Sequence, residues 1–186
     1  MPFGSLWLPV VVSAVAVWFL SAILHMVLKY HRADHKKLPS EDAVGQALRQ
    51  AAPPPGVYFT PYLVDHSQLK DPAVRKRYED GPVAIITTMR NGVPAMGKYL
   101  LQWFLFCFLV SFAIGYIARH TLSPGEDGLS VLRLTGTVAF LAYGFGYFQD
   151  SVWKGIPWAN SLRGLFDAAL YALATGFIFR ALWPGV

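Results

Sequence analysis

A chain of 186 residues that is 54% hydrophobic and only 15% charged falls well short of the roughly 25% charged residues of soluble domains. With a mean hydropathy of +0.38, this composition excludes an ordinary soluble domain and makes the membrane the first reading. The formal net charge of +5 does not call for nucleic acid, because a membrane protein gathers basic residues by obeying the positive-inside rule.

Four runs approach the roughly 20 apolar residues needed to cross about 30 Å of hydrocarbon: Leu6 to Leu28, Tyr99 to Ala118, Leu129 to Phe148, and Leu162 to Trp183. The first lacks a basic flank before it and a small-residue cleavage site after it, and so reads as an uncleaved anchor. Trp7, Trp103, Trp153, Trp158 and Trp183 stand at the ends of these runs, where indoles anchor at headgroup level. The predicted organisation is transmembrane helix 1 over residues 1–28, a soluble insertion over 29–98, and transmembrane helices 2–4 over 99–186. The fold class is thus mainly α, an integral membrane four-helix bundle with a small α+β insertion. Lys29 to Lys98 holds eleven of the sixteen Lys and Arg residues, and Lys154 and Arg163 fall on the same side. Only Arg119, Arg133 and Arg180 fall opposite. This imbalance predicts a cytoplasmic insertion with both termini outside.

Within the insertion, Ser40 is placed to N-cap a helix through Glu41, Asp42 and Leu48, ended by Pro53, Pro54, Pro55 and Gly56. Asp71 followed by Pro72 predicts a second helix to Asp80, closed by Gly81. Val83 to Thr88 is rich in β-branched residues, and Asn91-Gly92 after it predicts a hairpin turn, with Pro94 confining the return arm to an edge. Val57, Tyr58, Phe59 and Thr60 are a candidate third strand. No internal repeat is present, which weakens an inverted-repeat transporter reading.

In lipid, helices associate through close packing of small residues. The last span offers Gly164, Ala168, Ala172 and Gly176 at spacing four, the second offers Cys107, Ser111 and Gly115, and the first offers Ser13 and Ser21 leading to His25. These stripes suit packing within a bundle or, alternatively, dimerisation. Cys107 is the only cysteine, so neither an intrachain disulfide nor a cysteine-based metal site can form.

The predicted topology puts the embedded polar residues at one level: His25, Gln102, Gln149, Asp150, Arg163 and Asp167. Of these, His25, Gln102, Asp150, Arg163 and Asp167 form the candidate polar cluster. Arg163 and Asp167 are four apart on a helix and are expected to pair. His25, His31 and His35 gather at the first membrane exit. If the helix continues there, His31 and His35 share a face at the spacing that lets two imidazoles hold one metal ion, with Asp34 or His66 completing the set. Glu does not follow His31, so the zincin pattern is absent, and five histidines are too few for a diiron desaturase. A haem b bundle would need facing imidazoles at one depth, yet His120 falls opposite His25. Neither a Walker A loop, a GxGxxG turn nor a GxSxG elbow is present. The triple Arg75, Lys76 and Arg77 reads as a solvated face that could also rest on anionic lipid.

His25-Met26-Val27, His31, Asp34, Lys37-Leu38-Pro39, Glu41-Asp42, Ala47-Leu48-Arg49, Pro54-Pro55-Gly56, Gly81-Pro82-Val83, Gly97-Lys98, Asp167, Tyr171 and Leu182-Trp183-Pro184 together resemble a family of small uncharacterised bacterial multi-pass inner-membrane proteins. That resemblance spans most of the chain and implies a bacterial inner membrane and the topology above, without adding a catalytic residue. The expected function is an accessory or interaction component with no recognisable catalytic set. Its partners are the bilayer and either a second copy or a membrane-complex protein, and nucleic acid is not among them. Two other readings stand beside it: a metal-binding protein using His25, His31 and His35, and a proton-coupled carrier using Asp150 and Asp167.

Overall fold

The computed structural model describes residues 3–185, and the chain is mainly helical with one small sheet. In chain order the helices are α1 (Trp7–Ala22), α2 (Glu41–Ala51), α3 (Pro72–Asp80), α4 (Met96–Thr121), α5 (Gly128–Gly144), α6 (Gly146–Lys154) and α7 (Trp158–Ala181), and the strands are β1 (Gly56–Thr60) and β2 (Ala84–Thr88). The chain divides into two compact units: a helical unit of Met1–Lys36 with Ala95–Val186, and an insertion of Lys37–Pro94.

Four stretches are long and apolar enough to cross a membrane: Gly4–Val27, Met96–Thr121, Gly128–Lys154 and Trp158–Ala181. The third is α5 followed directly by α6, with the break at Phe145 between Gly144 and Gly146.

Small residues let these helices approach closely. A Cβ at Gly115 of α4 would lie 2.9 Å from Val10 Cγ2 of α1, and one at Gly164 of α7 would run into the Tyr147 ring of α6. Ser13 of α1 donates to Ser111 of α4 at 3.1 Å. The small stripes are therefore taken up between helices of one chain, where van der Waals contact and interhelical hydrogen bonds reward close approach. Val10, Val17, Ile114, Val131 and Phe179 are buried alongside Thr135, Thr175 and Asp167.

Two contact sets define the ends of this unit. At one end α1 finishes, α4 begins and α7 begins, because His25, Trp103 and Asp167 meet the same group of residues. At the other end Trp183 Nε1 donates to the Ser123 carbonyl at 2.9 Å. Trp183 is buried, so it plugs that end of the packing rather than standing outward as an interfacial anchor. Its ring has a carbonyl partner, which is what a buried indole needs.

In the insertion, β1 and β2 pair antiparallel with Tyr58 opposite Ile86. The hairpin expected at Asn91-Gly92 does not form. Pro94 has no N–H to give to a ladder, and α4 already begins at Met96, so no return arm has room. The partner of β2 is instead the stretch Gly56–Thr60, earlier in the chain. Helix α3 starts and stops where expected: the Asp71 carboxylate accepts from Ala73 N–H at 2.8 Å, and Gly81 ends the helix at φ 63°. Helix α2 differs in its cap, since Ser40 takes φ 51° and its side chain makes no capping bond.

Candidate functional site

Where α1 ends, the backbone leaves α-helical geometry. Ile23–Val27 forms a π-turn closed by Leu28 N–H to Ile23 C=O at 3.0 Å, a local widening that is frequent at functional sites. Leu28 is extended (φ −79°, ψ 136°). Tyr30–Asp34 then makes a 3₁₀ turn, and His35 is extended again (φ −120°, ψ 128°). The helix therefore ends at Val27 and does not reach His31. His31 and His35 share no helical face, which corrects the expected spacing-four pair.

What the turn does instead is carry Tyr30, His31 and Asp34 onto α7. Tyr30 donates its hydroxyl to Asp167 Oδ1. His31 places Nε2 2.7 Å from Asp167 Oδ2 and Nδ1 2.6 Å from Asp34 Oδ2. Arg163 Nε reaches Asp34 Oδ1 at 2.6 Å, while its Nη2 donates to Asn160 Oδ1 at 2.9 Å. Asn160 in turn donates to the Asp34 carbonyl at 3.0 Å. The expected Arg163–Asp167 pair is thus replaced: Arg163 serves Asp34, and Asp167 is served by Tyr30 and His31. Asp167 is only 1% exposed, and a carboxylate so buried needs partners of this kind.

His25 completes the group. Its Nε2 lies 3.6 Å from Asp167 Oδ2, its Nδ1 lies 3.1 Å from the Ser21 carbonyl, and its ring stacks on that of His31 with centroids 4.1 Å apart and planes 8° from parallel. Among the described residues, His25, His31 and Asp167 are the group of His, Cys, Asp and Glu side chains whose ligand atoms all lie within 4.8 Å of one another. His35 and His66 are not in that group, and Asp34 stands behind His31 rather than beside it.

The neighbouring acceptors limit where the ring protons can sit. His25 Nδ1 faces the Ser21 carbonyl, whereas both nitrogens of His31 face carboxylates, Asp34 at Nδ1 and Asp167 at Nε2, and both Nε2 atoms are turned to one Asp167 oxygen. Wherever an Nε2 presents its lone pair to that anionic oxygen, a positive charge must lie between them. That charge can be a proton on one ring or a metal ion.

Outside the helical spans the local electrostatics follow from the same contacts. Burial works to raise the Asp34 carboxyl, but hydrogen bonds from His31 and Arg163 prevail and hold it below the ordinary carboxylate range. The Tyr30 phenol is pushed up, first by burial and then by its bond to Asp167.

Of the remaining sequence candidates, Asp150 forms an ion pair with Lys154 at 2.6 Å, and Gln102 lies on an exposed face of α4. Tyr30 and Asn160 were not among the candidates at all. Nothing in local spacing marks them, because their roles depend on the turn after Leu28. No protein-family model, curated protein or solved structure matches this chain.

Proposed function

We propose that this chain is a four-span protein of a bacterial inner membrane, with the insertion on the cytoplasmic side, that binds a divalent transition-metal ion of the zinc class through His25 Nε2, His31 Nε2 and Asp167. One observation carries the reading: both imidazoles have Nδ1 held by acceptors and present Nε2 to the same buried carboxylate oxygen. Ligating histidines characteristically hand their second N–H to a carboxylate or a carbonyl, which fixes tautomer and orientation. Two histidines and one carboxylate leave a fourth position open, as sites that act on a ligand do. Tyr30 and Arg163 would steady Asp167 and Asp34 around the ion. The small stripes that motivated an accessory or interaction role are occupied inside the chain, so they supply no free face for a partner.

A second reading has its own support. The near-parallel stack of the two rings suits a proton as the bridging charge, shared between an Nε2 and Asp167. His31 would bridge Asp34 and Asp167, and the half-exposed His25 would connect that pair to solvent.

Metal analysis separates the two. Purified full-length protein, loaded with zinc and dialysed, is expected to retain about one ion per chain, and His31→Ala is expected to lose it, while Asp34→Asn weakens affinity by about tenfold through the lost support of His31. Wild-type protein that retains no zinc, or zinc retained undiminished in His31→Ala, overturns the metal reading and leaves the proton one.

A further inference from the structure

Beside the cluster a cleft of about 370 Å³ opens between the end of α1, the start of α4, α6 and α7. That volume is in the range of small-molecule sites, roughly 300–1,000 Å³. Its walls include Ala22, His25, Met26, Trp103, Tyr147 and Tyr171. Lys, Arg, Asp and Glu are missing from its lining, so nothing there balances a full charge on a ligand except the His25 imidazole. Flat aromatic walls with thioethers favour a planar apolar group over a bare acyl chain. One polar group in the lining is unspent. Tyr171 is 4% exposed, and its hydroxyl is buried with no hydrogen-bond partner. A buried hydroxyl without a partner is uncommon and asks for an explanation.

We propose that this cleft binds a neutral, flat-headed amphiphile bearing a ring carbonyl, the quinone class, with the carbonyl accepting from the Tyr171 hydroxyl and the head lying against His25. The inference rests on the reading above in naming the ligand taken beside the same site. Each feature selects for this class. The absence of ionised lining residues disfavours a fatty-acid carboxylate or a phosphate headgroup. The free donor selects an acceptor. The cleft sits where α1 ends and α4 begins, and its Trp and Tyr walls suit an interfacial position, so the tail of such a molecule could remain in lipid. Binding alone is proposed, with no electron transfer.

Trp103 in the wall supplies a reporter. The full-length protein in lipid nanodiscs is titrated with a short-chain benzoquinone, and tryptophan quenching is compared with that of Trp103→Phe to isolate the Trp103 signal. Saturable quenching is expected. Ala22→Leu, which fills the cleft, should abolish it. Tyr171→Phe should weaken it by about tenfold, the worth of one hydrogen bond, while leaving the melting temperature unchanged or higher, since an unpaired hydroxyl has been removed. Quenching that is indifferent to both substitutions, or oleate displacing the quinone at equal concentration, overturns the proposal. Zinc retention and quenching are read separately on the same wild-type samples. Loss of zinc binding therefore tells against the metal site alone, and loss of quenching in zinc-competent protein tells against the cleft alone.

Discussion

In the helical unit several buried residues are polar, with Ser13, Ser111, Thr135, Ser161, Asp167 and Thr175 all close to fully enclosed, whereas in the insertion, among the described residues, Pro61 is the only buried one. Between Lys37 and Pro94, Val57, Phe59, Tyr62, Val64 and Val93 are exposed. The helical unit is therefore held by close backbone approach and by polar groups most of which find partners inside, the Thr175 hydroxyl being an exception. The insertion is held by capping bonds and a five-residue antiparallel ladder. Regions with few buried contacts and much exposed backbone open at low free-energy cost. The two units should accordingly respond differently to the same class of substitution.

The largest expected effect lies at Asp167. Its replacement by Ala leaves His31 and Tyr30 facing nothing in a buried site, and breaking such a network costs about 3–5 kcal/mol. A thermal melt of detergent-purified protein should show a drop in the midpoint, with hydrogen exchange of α3 unchanged. A melt indistinguishable from wild type would mean that the network does not hold segment 29–36 on α7.

Next comes Gly164→Val. The added methyl groups meet the Tyr147 ring, and overpacking of this kind costs about 1–3 kcal/mol. Global stability should again fall without a local effect in the insertion. If Gly164→Val is neutral, α6 and α7 are not closely packed there, and the stripe becomes available for a partner after all.

In the insertion, Asp71→Ala removes the acceptor for Ala73 N–H, a loss of about 1 kcal/mol. The change should be confined to faster amide exchange in α3, with the main melting transition unmoved. Co-movement of that transition would show that the two units unfold as one, and the contrast drawn here would fail.

The smallest effect belongs to Asp65. Hydrogen bonds from the Ser67 side chain and backbone N–H hold its carboxyl below the ordinary value of 3.8. A depressed carboxyl contributes stability above its unfolded value and loses it as pH falls through the folded one. Protection of the Ser67 amide should thus persist at neutral pH and fade in acid. Protection that is flat with pH would show that the 3₁₀ turn His66–Lys70, which Asp65 caps with Gln68 in a capping box, does not respond to the charge of Asp65.

What the sequence discloses divides along the same line. The four apolar stretches and the small-residue stripes could be read directly, because a helix lays residues four apart on one face and composition alone marks a hydrophobic run. Asp167 was recognisable as an embedded carboxylate needing a partner. The partner was misassigned because Arg163 is near in sequence, while Tyr30 and His31, more than 130 positions away, reach it only after the chain leaves helical geometry at Leu28. Asn91-Gly92 misled for a related reason. A strong local turn signal was outweighed by a pairing between β1 and β2 that no short window contains.

The π-turn at Ile23–Val27 has a consequence for chain length. An α-helix advances 3.6 residues per turn, and a wider turn accommodates one residue more without disturbing the flanking register. Upstream of it, Val10, Ser13, Val17 and Ser21 keep one face buried. Downstream, the His25 ring meets Asp167. Deleting a single residue between Ile23 and Val27 would return the helix to regular winding and rotate one of these sets by about 100° relative to the other. The chain could then keep its packing seam or its histidine aim, but not both, so this five-residue stretch should tolerate changes of side chain far better than changes of length.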